Sequence, residues 1–246
     1  MIKFVKGTPA MLVEPENALV VGDMHLGKEV ALRNSGVYFA GAAKSIAAEL
    51  LEIYENSNAS RLILLGDVKE SIAYPPTEER RSILDFFHLL GGIRISIAKG
   101  NHDAHLNEVL HDLGIDAEVK HEINLRQASL MHGNSLPSEE ALGKKYLIIA
   151  HGHAVVRGID SDRKIWIVAS PGKNCKKYGV GKSSRLLIAP AFSRLIGGTR
   201  LSQSLKQFIP AFRNDIFDFK SSMVYDLEKK PLGKAGSIAA ECQAYK

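Results

Sequence analysis

Five short apolar runs in the first 155 residues each end on groups that can bind a metal ion or move a proton. Ala18-Leu-Val-Val-Gly22 leads into Asp23-Met-His25, Arg61-Leu-Ile-Leu-Leu-Gly66 into Asp67, and Ile93–Lys99 into Gly100-Asn101-His102-Asp103. Further along, Ala128-Ser-Leu-Met131 leads into His132-Gly133, and Tyr146-Leu-Ile-Ile-Ala150 into His151-Gly-His153. Imidazole nitrogen with carboxylate and amide oxygen is a ligand set suited to Mn, Fe, Zn or Ni. About seven such groups are too many for one tetrahedral ion and suit two five- or six-coordinate divalent ions with a bridging water. An aspartate is the natural bridge between two cations. Two ions roughly 3.5–4 Å apart clamp a phosphate and lower the pKa of the water between them, which attacks as hydroxide. The chemistry this predicts is hydrolysis of a phosphate ester.

Each motif taken alone has a plainer explanation. Asp-x-His is commonly a capped turn or a surface pair, Gly-Asp after a strand a turn, and Asn-His-Asp a helix cap. His-x-His on extended chain puts both rings on one side, which favours a metal but also arises by chance. None of these accounts for five strand ends in order, each delivering a suitable group.

Strands and helices must hold these groups, and the patterning supplies both. Apolar spacing predicts helices over 39–55, from Thr77 as N-cap through Leu90, and over 106–113. Strands are expected at 11–13, 18–21, 61–65, 93–98, 115–119, 123–131 and 146–150, then at 165–169, 185–189 and 222–227. The alternation predicts an α/β layered fold, with ligand groups beyond the carboxyl ends of the strands. Neither a Pro/Ser linker nor an internal repeat divides the chain. One domain is expected, with the motifs in residues 1–155 and a strand-rich, basic part in 156–246.

Composition sets the outer bounds. The chain has 246 residues, 45% of them hydrophobic and 24% charged, with a mean hydropathy of -0.06. That excludes disorder and low-complexity structure. No apolar run approaches the ~18 residues of a membrane span, and the N-terminus turns at Gly7-Thr8-Pro9 before a signal sequence develops. With two cysteines, Cys175 and Cys242, which look incidental, a reducing cytoplasmic setting is expected. All nine histidines lie at or before His153, and acids exceed bases up to that point. From Arg163 to Arg213 there are eleven bases and no acid.

The ordered set resembles the calcineurin-like metallophosphoesterases, whose motifs run Asp-x-His, Gly-Asp, Gly-Asn-His-Asp/Glu, His and Gly-His-x-His. Residues 18–155 carry the match, with Ala150 in place of the last glycine. Asp23-Met-His-Leu-Gly-Lys-Glu29, with Pro190-Ala-Phe and Gly197-Gly-Thr199, resembles a narrower branch, the archaeal SbcD-related and bacterial DNA-ligase-associated phosphoesterases. The resemblance implies a two-sheet β-sandwich flanked by helices. It implies one metal held by Asp23, His25 and His153, a second held by Asn101, His132 and His151, and Asp67 bridging. His102 would be a general acid or a transition-state cation, with Asp103 orienting its ring. Mn is the first expectation for both ions, with Fe, Zn or Ni as alternatives. By the same comparison no capping domain or ATPase-binding tail follows. One departure matters: the SbcD-like nucleases carry a histidine three residues after the bridging aspartate, where this chain has Glu70. That glutamate cannot replace a cationic imidazole, and instead can accept a hydrogen bond or a proton.

The expected function is a binuclear phosphodiesterase acting on nucleic acid or nucleotides. The alternatives are a phosphomonoesterase or cyclic-nucleotide phosphodiesterase, and a non-catalytic metal-binding scaffold. DNA or RNA is an expected partner through the basic segment 163–213, above all around Lys173, Lys176, Lys177 and Lys182. The competing expectation pairs these cations with the acidic helices carrying Glu49, Glu52, Glu55, Glu78 and Glu79. His88, His105, His111 and His121 are expected to face solvent or cap elements, and Trp166 to pack in the core.

Overall fold

The apolar runs become strands buried on both faces, which is why they lack the alternation of a half-exposed sheet. The computed structural model describes residues 1–33, 35–39 and 41–244, with side chains as far as Glu241; the side chain of Cys242 lies outside the described part. The first sheet has the order β1 (Ile2–Phe4), β2 (Met11–Val13), β3 (Ala18–Val21), β4 (Arg61–Leu64), β5 (Ile95–Ala98), β6 (Glu118–Lys120). Strands β1 to β3 are antiparallel, and β3 to β6 run parallel.

The second sheet is mixed. It contains β7 (Glu122–Asn124), β8 (Ala128–Met131), β9 (Tyr146–Ile149), β10 (Ala154–Val156), β11 (Arg163–Ala169), β12 (Arg185–Ile188), β13 (Thr199–Arg200), β14 (Met223–Asp226) and β15 (Pro231–Lys234). Its order is β13-β10-β11-β12-β9-β8-β7, with β14 on β11 and β15 on β14. Strands β8, β9 and β12 are parallel neighbours.

Side chains two apart on a strand share a face, so each strand feeds two cores. Ala18, Val20 and Ile63 point between the sheets, against Leu130, Ile148, Trp166 and Leu187. Leu19, Val21, Leu62, Leu64, Ile95 and Ile97 face outward onto α2 (Ala42–Asn56), α3 (Thr77–Leu89) and α4 (Leu106–Asp112), which follow the short α1 (Lys28–Arg33). On the far side, Leu147, Ile149, Ile167, Leu186 and Ile188 pack under α5 (Glu139–Leu142), α6 (Gln203–Phe208), α7 (Pro210–Arg213) and α8 (Ala235–Ala244). The layers are helix, sheet, sheet, helix, the sandwich flanked by helices that was expected. Trp166 is fully buried and stacks on Phe4 with ring centroids 4.3 Å apart.

Two local readings are corrected. Residues 123–131 are not one strand: exposed Arg126 and Gln127 turn the chain, Leu125 N–H donates to Ala128 O at 2.8 Å, and β7 and β8 form an antiparallel pair. Thr77 is not the cap of α3 but its first residue, because Pro76 holds the extended cap position at φ -65°, ψ 165°. No described helix is long and apolar enough to cross a membrane.

Candidate metal centre

Within each sheet the motif-bearing strands are parallel neighbours, so their carboxyl ends open on one edge. The loops leaving that edge are tied together by backbone. His25 N–H donates to Asp67 O and Leu26 N–H to Val68 O, both at 2.8 Å, while Glu70 N–H donates to Leu26 O at 3.0 Å. In the second sheet Ala150 N–H donates to His132 O at 2.9 Å. Five residues here hold a left-handed backbone without being glycine: Asp23 (φ 58°), His25 (46°), Asp67 (46°), His151 (65°) and His153 (42°). This conformation is costly for side-chain-bearing residues, and the surrounding hydrogen bonds impose it.

Two glycines allow the loops to close. A Cβ on Gly66 would lie 2.7 Å from the Gly100 backbone and from His132 Nδ1, and one on Gly100 would lie 2.3 Å from Asp67 N and Oδ1. Gly100→Ala is therefore expected to cost about 1–3 kcal/mol as overpacking against backbone. A fall of roughly 5 °C in thermal midpoint should accompany it. An unchanged midpoint would show that the loops can part.

The side chains gather into two groups that share Asp67. Asp23, His25, Asp67 and His153 form one, and Asp67, His132 and His151 the other; a third group, His25, Glu70 and His102, adjoins the first through His25. In the first, Asp67 Oδ2 is 3.6 Å from His25 Nε2, and Asp23 Oδ1 is 3.3 Å from His153 Nε2. In the second, His132 Nε2 lies 3.3 Å from Asp67 Oδ2, 3.1 Å from Asn101 Oδ1 and 3.0 Å from His151 Nδ1. The opposite ring nitrogens are committed elsewhere: His132 Nδ1–H donates to the Leu65 carbonyl at 2.7 Å, and His25 Nδ1 pairs with Glu70 at 2.9 Å. A ring with one nitrogen tied to a carbonyl or carboxylate and the other turned inward is oriented as a metal ligand. Both oxygens of Asp23, His25 Nε2 and His153 Nε2 are buried without a hydrogen-bond partner. Unpartnered buried polar atoms are uncommon in folded proteins; others occur singly at Arg61, Arg80, Ser129 and Trp166, but those clustered here all belong to metal-binding types. The donor set fits divalent cations.

The electrostatics point the same way. Burial works against the Asp67 charge, but His132, the His102 N–H and His25 outweigh it and hold the carboxyl well below its usual range. Burial likewise opposes charge on His132, yet Asp67 and Asp23 raise it to about 9. His151 is pushed down to about 4 by burial and by His132 beside it. The pocket calls for positive charge among its carboxylates.

The predicted residues thus meet, with one change of role. Asp103 does not orient the His102 ring. Its Oδ1 accepts Val68 N–H at 2.9 Å and its Oδ2 accepts Gly100 N–H at 2.8 Å, so this buried carboxylate ties the loops after β4 and β5 together. Burial raises its pKa, against the pull of the Gly100 N–H. The His102 ring is oriented instead by the Glu70 carbonyl, which accepts from Nδ1–H. Glu70 accepts hydrogen bonds as expected, but from His25 and from Lys28 at 2.7 Å. Lys28 had one sequence signal, its place on the Asp23 loop. Phe208 had none, because it lies far downstream. It is half exposed and stacks on His151, with centroids 4.3 Å apart and planes 8° from parallel. The four histidines outside the motifs are exposed.

The basic segment divides between two edges of the second sheet. Because β12 runs parallel to β9, with Arg185 opposite Tyr146 and Ile188 opposite Ile149, the loop holding Lys173, Lys176, Lys177 and Lys182 lies at the edge away from His151. Lys173 and Lys206 pair with Asp215, Arg200 with Asp162 and Arg194 with Glu49. Only the last of these is the pairing with acidic helices considered above. Among the described residues, Arg163, Lys164, Lys176, Lys177, Lys182, Arg185 and Arg213 have no acidic partner, the Lys164 ammonium donating instead to the Phe192 and Ser193 carbonyls.

The calcineurin-like phosphoesterase family profile matches residues 17–181. The solved structure of the Pseudomonas putida nuclease MPE is similar at a TM-score of 0.61 and 18% identity, covering 91% of this chain and 92% of that one. A phosphoesterase from E. coli, Yfce, is more distant: TM-score 0.42 and 14% identity over 88% of this chain and 97% of that one. At 18% identity the likeness to the nuclease is one of fold. No curated protein matches by sequence.

Proposed function

Because the chain belongs to the calcineurin-like phosphoesterase family, we propose that it is a binuclear phosphodiesterase acting on nucleic acid or nucleotides. The observation that carries this reading is the pair of inward-facing ligand groups sharing Asp67. Asp23, His25 and His153 would hold one ion and Asn101, His132 and His151 the other, with Asp67 between; Mn suits this oxygen and imidazole set. Divalent ions held there supply charge against the phosphoryl oxygens and make water a nucleophile at neutral pH. The chain's own residues do the rest. His102, its Nδ1–H on the Glu70 carbonyl, offers Nε2 to the leaving oxygen. Asp103 holds the two loops in register, and Phe208 covers one face of His151.

Nucleic acid is favoured over a small phosphate ester by cations on the site's own edge of the sheet, and by the nuclease activity named for the Pseudomonas putida neighbour. Arg163, which has no acidic partner, opens β11 opposite Val156 of the strand that follows His153, while Arg200 lies alongside β10 with its charge paired to Asp162. The string Asp23–Glu29 further favours the SbcD-related branch.

The test is hydrolysis of bis-p-nitrophenyl phosphate with added Mn, beside p-nitrophenyl phosphate and a single-stranded oligonucleotide. Turnover of both diesters that EDTA abolishes is the expected result. Hydrolysis of the monoester alone would move the reading to a phosphomonoesterase. Turnover that survives chelation would end the metal-dependent reading.

A further inference from the structure

The Glu70 carboxylate has two partners on opposite sides. One oxygen accepts from His25 Nδ1–H at 2.9 Å, and the other from the Lys28 ammonium at 2.7 Å. The loop that presents it is held at several points. Glu70 N–H and Ser71 N–H both donate to buried Glu79 Oε1, at 3.0 and 2.9 Å. Fully buried Lys69 spreads its ammonium over the carbonyls of Ser71, Ile72 and Ala73. A carboxylate presented this way cannot drift to follow its partners; they must come to it.

We propose that Glu70 is a positioning residue: one oxygen fixes the His25 ring toward the metal centre, and the other holds the Lys28 ammonium at its mouth, where Lys28 binds the phosphate of the substrate. This rests on the metal-dependent phosphoesterase reading above. A ring nitrogen that donates to a carboxylate leaves the opposite nitrogen with its lone pair free, and on His25 that is Nε2, the atom facing Asp67. The ammonium has three donors and Glu70 takes one. The Lys28 side chain is 28% exposed, against 16% for Glu70 and 4% for His25, so it forms the solvent-facing end of the row. Holding a long lysine in one rotamer costs conformational entropy before any ligand arrives, and the buried-side contact with Glu70 meets that cost in advance.

A plain salt bridge stapling two loops would account for the same distances, so the test separates the two arms. Equilibrium binding of Mn, and then of inorganic phosphate to the Mn-loaded protein, is measured for wild type, Glu70→Ala, Glu70→Gln and Lys28→Met. Glu70→Ala is expected to weaken Mn binding about 10- to 100-fold, the usual effect of losing a carboxylate behind a metal-bound histidine. Glu70→Gln should recover most of that loss, because an amide oxygen still accepts from His25. Lys28→Met should keep Mn affinity and weaken phosphate binding by about tenfold or more, the scale of a charge-assisted hydrogen bond. Unchanged Mn affinity in Glu70→Ala, or unchanged phosphate affinity in Lys28→Met, would overturn the proposal. A wild type that binds Mn and phosphate yet hydrolyses no ester would defeat the functional reading instead, while these affinities still decide what Glu70 and Lys28 do.

Discussion

An Asp67→Asn protein is expected to fold normally and to lose affinity for metal in both halves of the centre at once. Asp67 is 2% exposed, and its Oδ2 stands 3.6 Å from His25 Nε2 and 3.3 Å from His132 Nε2, one nitrogen in each group. Its Oδ1 accepts the His102 N–H at 2.9 Å. Asparagine keeps the second contact through its amide oxygen, which preserves the loop, and turns an N–H₂ toward the two imidazoles. A donor then stands where a cation needs an anion. At an effective dielectric near 20, a unit charge about 4 Å from another is worth roughly 4 kcal/mol, close to a thousandfold in affinity for each ion. Calorimetric titration with Mn should show both equivalents weakened, and circular dichroism an intact fold. Asp23→Asn makes the contrast: Asp23 belongs to the first group, and although its Oδ1 also stands 3.7 Å from His132 Nδ1, the half holding His25 and His153 should weaken more than the other. Two equivalents bound by Asp67→Asn with wild-type affinity would remove Asp67 from between the ions.

The residues that gather in the candidate metal centre were legible in the sequence because each sits where a buried strand must stop. Ala18–Val21, Arg61–Leu64 and Tyr146–Ile149 are apolar on both faces, so the first polar residues after them mark the sheet's edge. Local order carried that much. Partnership did not follow in the same way. Nothing in Gly-Asn-His-Asp says that Asp103 will accept backbone N–H groups from Val68 and Gly100 while His102 turns to a carbonyl; that depends on how closely Gly66 and Gly100 let two loops approach. The basic segment shows the same limit. Its charge is continuous in sequence, but the reversal between β11 and β12 sends Lys176 and Lys177 to the opposite edge from His151. Phe208 was invisible for a related reason, because its contact with His151 exists only once α6 folds over the loop, where Leu205 and Ile209 crowd Gly152.

His102→Ala is expected to leave metal binding intact and to lower turnover about 10²- to 10⁴-fold on a substrate whose leaving group must be protonated. The two halves of that expectation come from different parts of one residue. The backbone N–H of His102 donates to Asp67 Oδ1 at 2.9 Å, and alanine supplies the same N–H, so the Asp67 carboxylate keeps its place. The ring, in contrast, is joined to the rest of the site by its Nδ1–H on the Glu70 carbonyl and by an edge-on approach to His25, with centroids 4.9 Å apart. A carbonyl can only accept, so Nδ1 carries a proton, and a proton on Nε2 as well makes the ring a cation. Giving that proton to the leaving oxygen returns the ring to its neutral form with the Nδ1 contact unbroken. The leaving group then becomes the diagnostic. A deoxyribose alkoxide needs the proton, whereas p-nitrophenolate departs readily without it. The loss in kcat should therefore be large on an oligonucleotide and much smaller on bis-p-nitrophenyl phosphate. Equal losses on the two substrates would mean that His102 acts by its charge alone, and loss of metal would make it part of the ligand set.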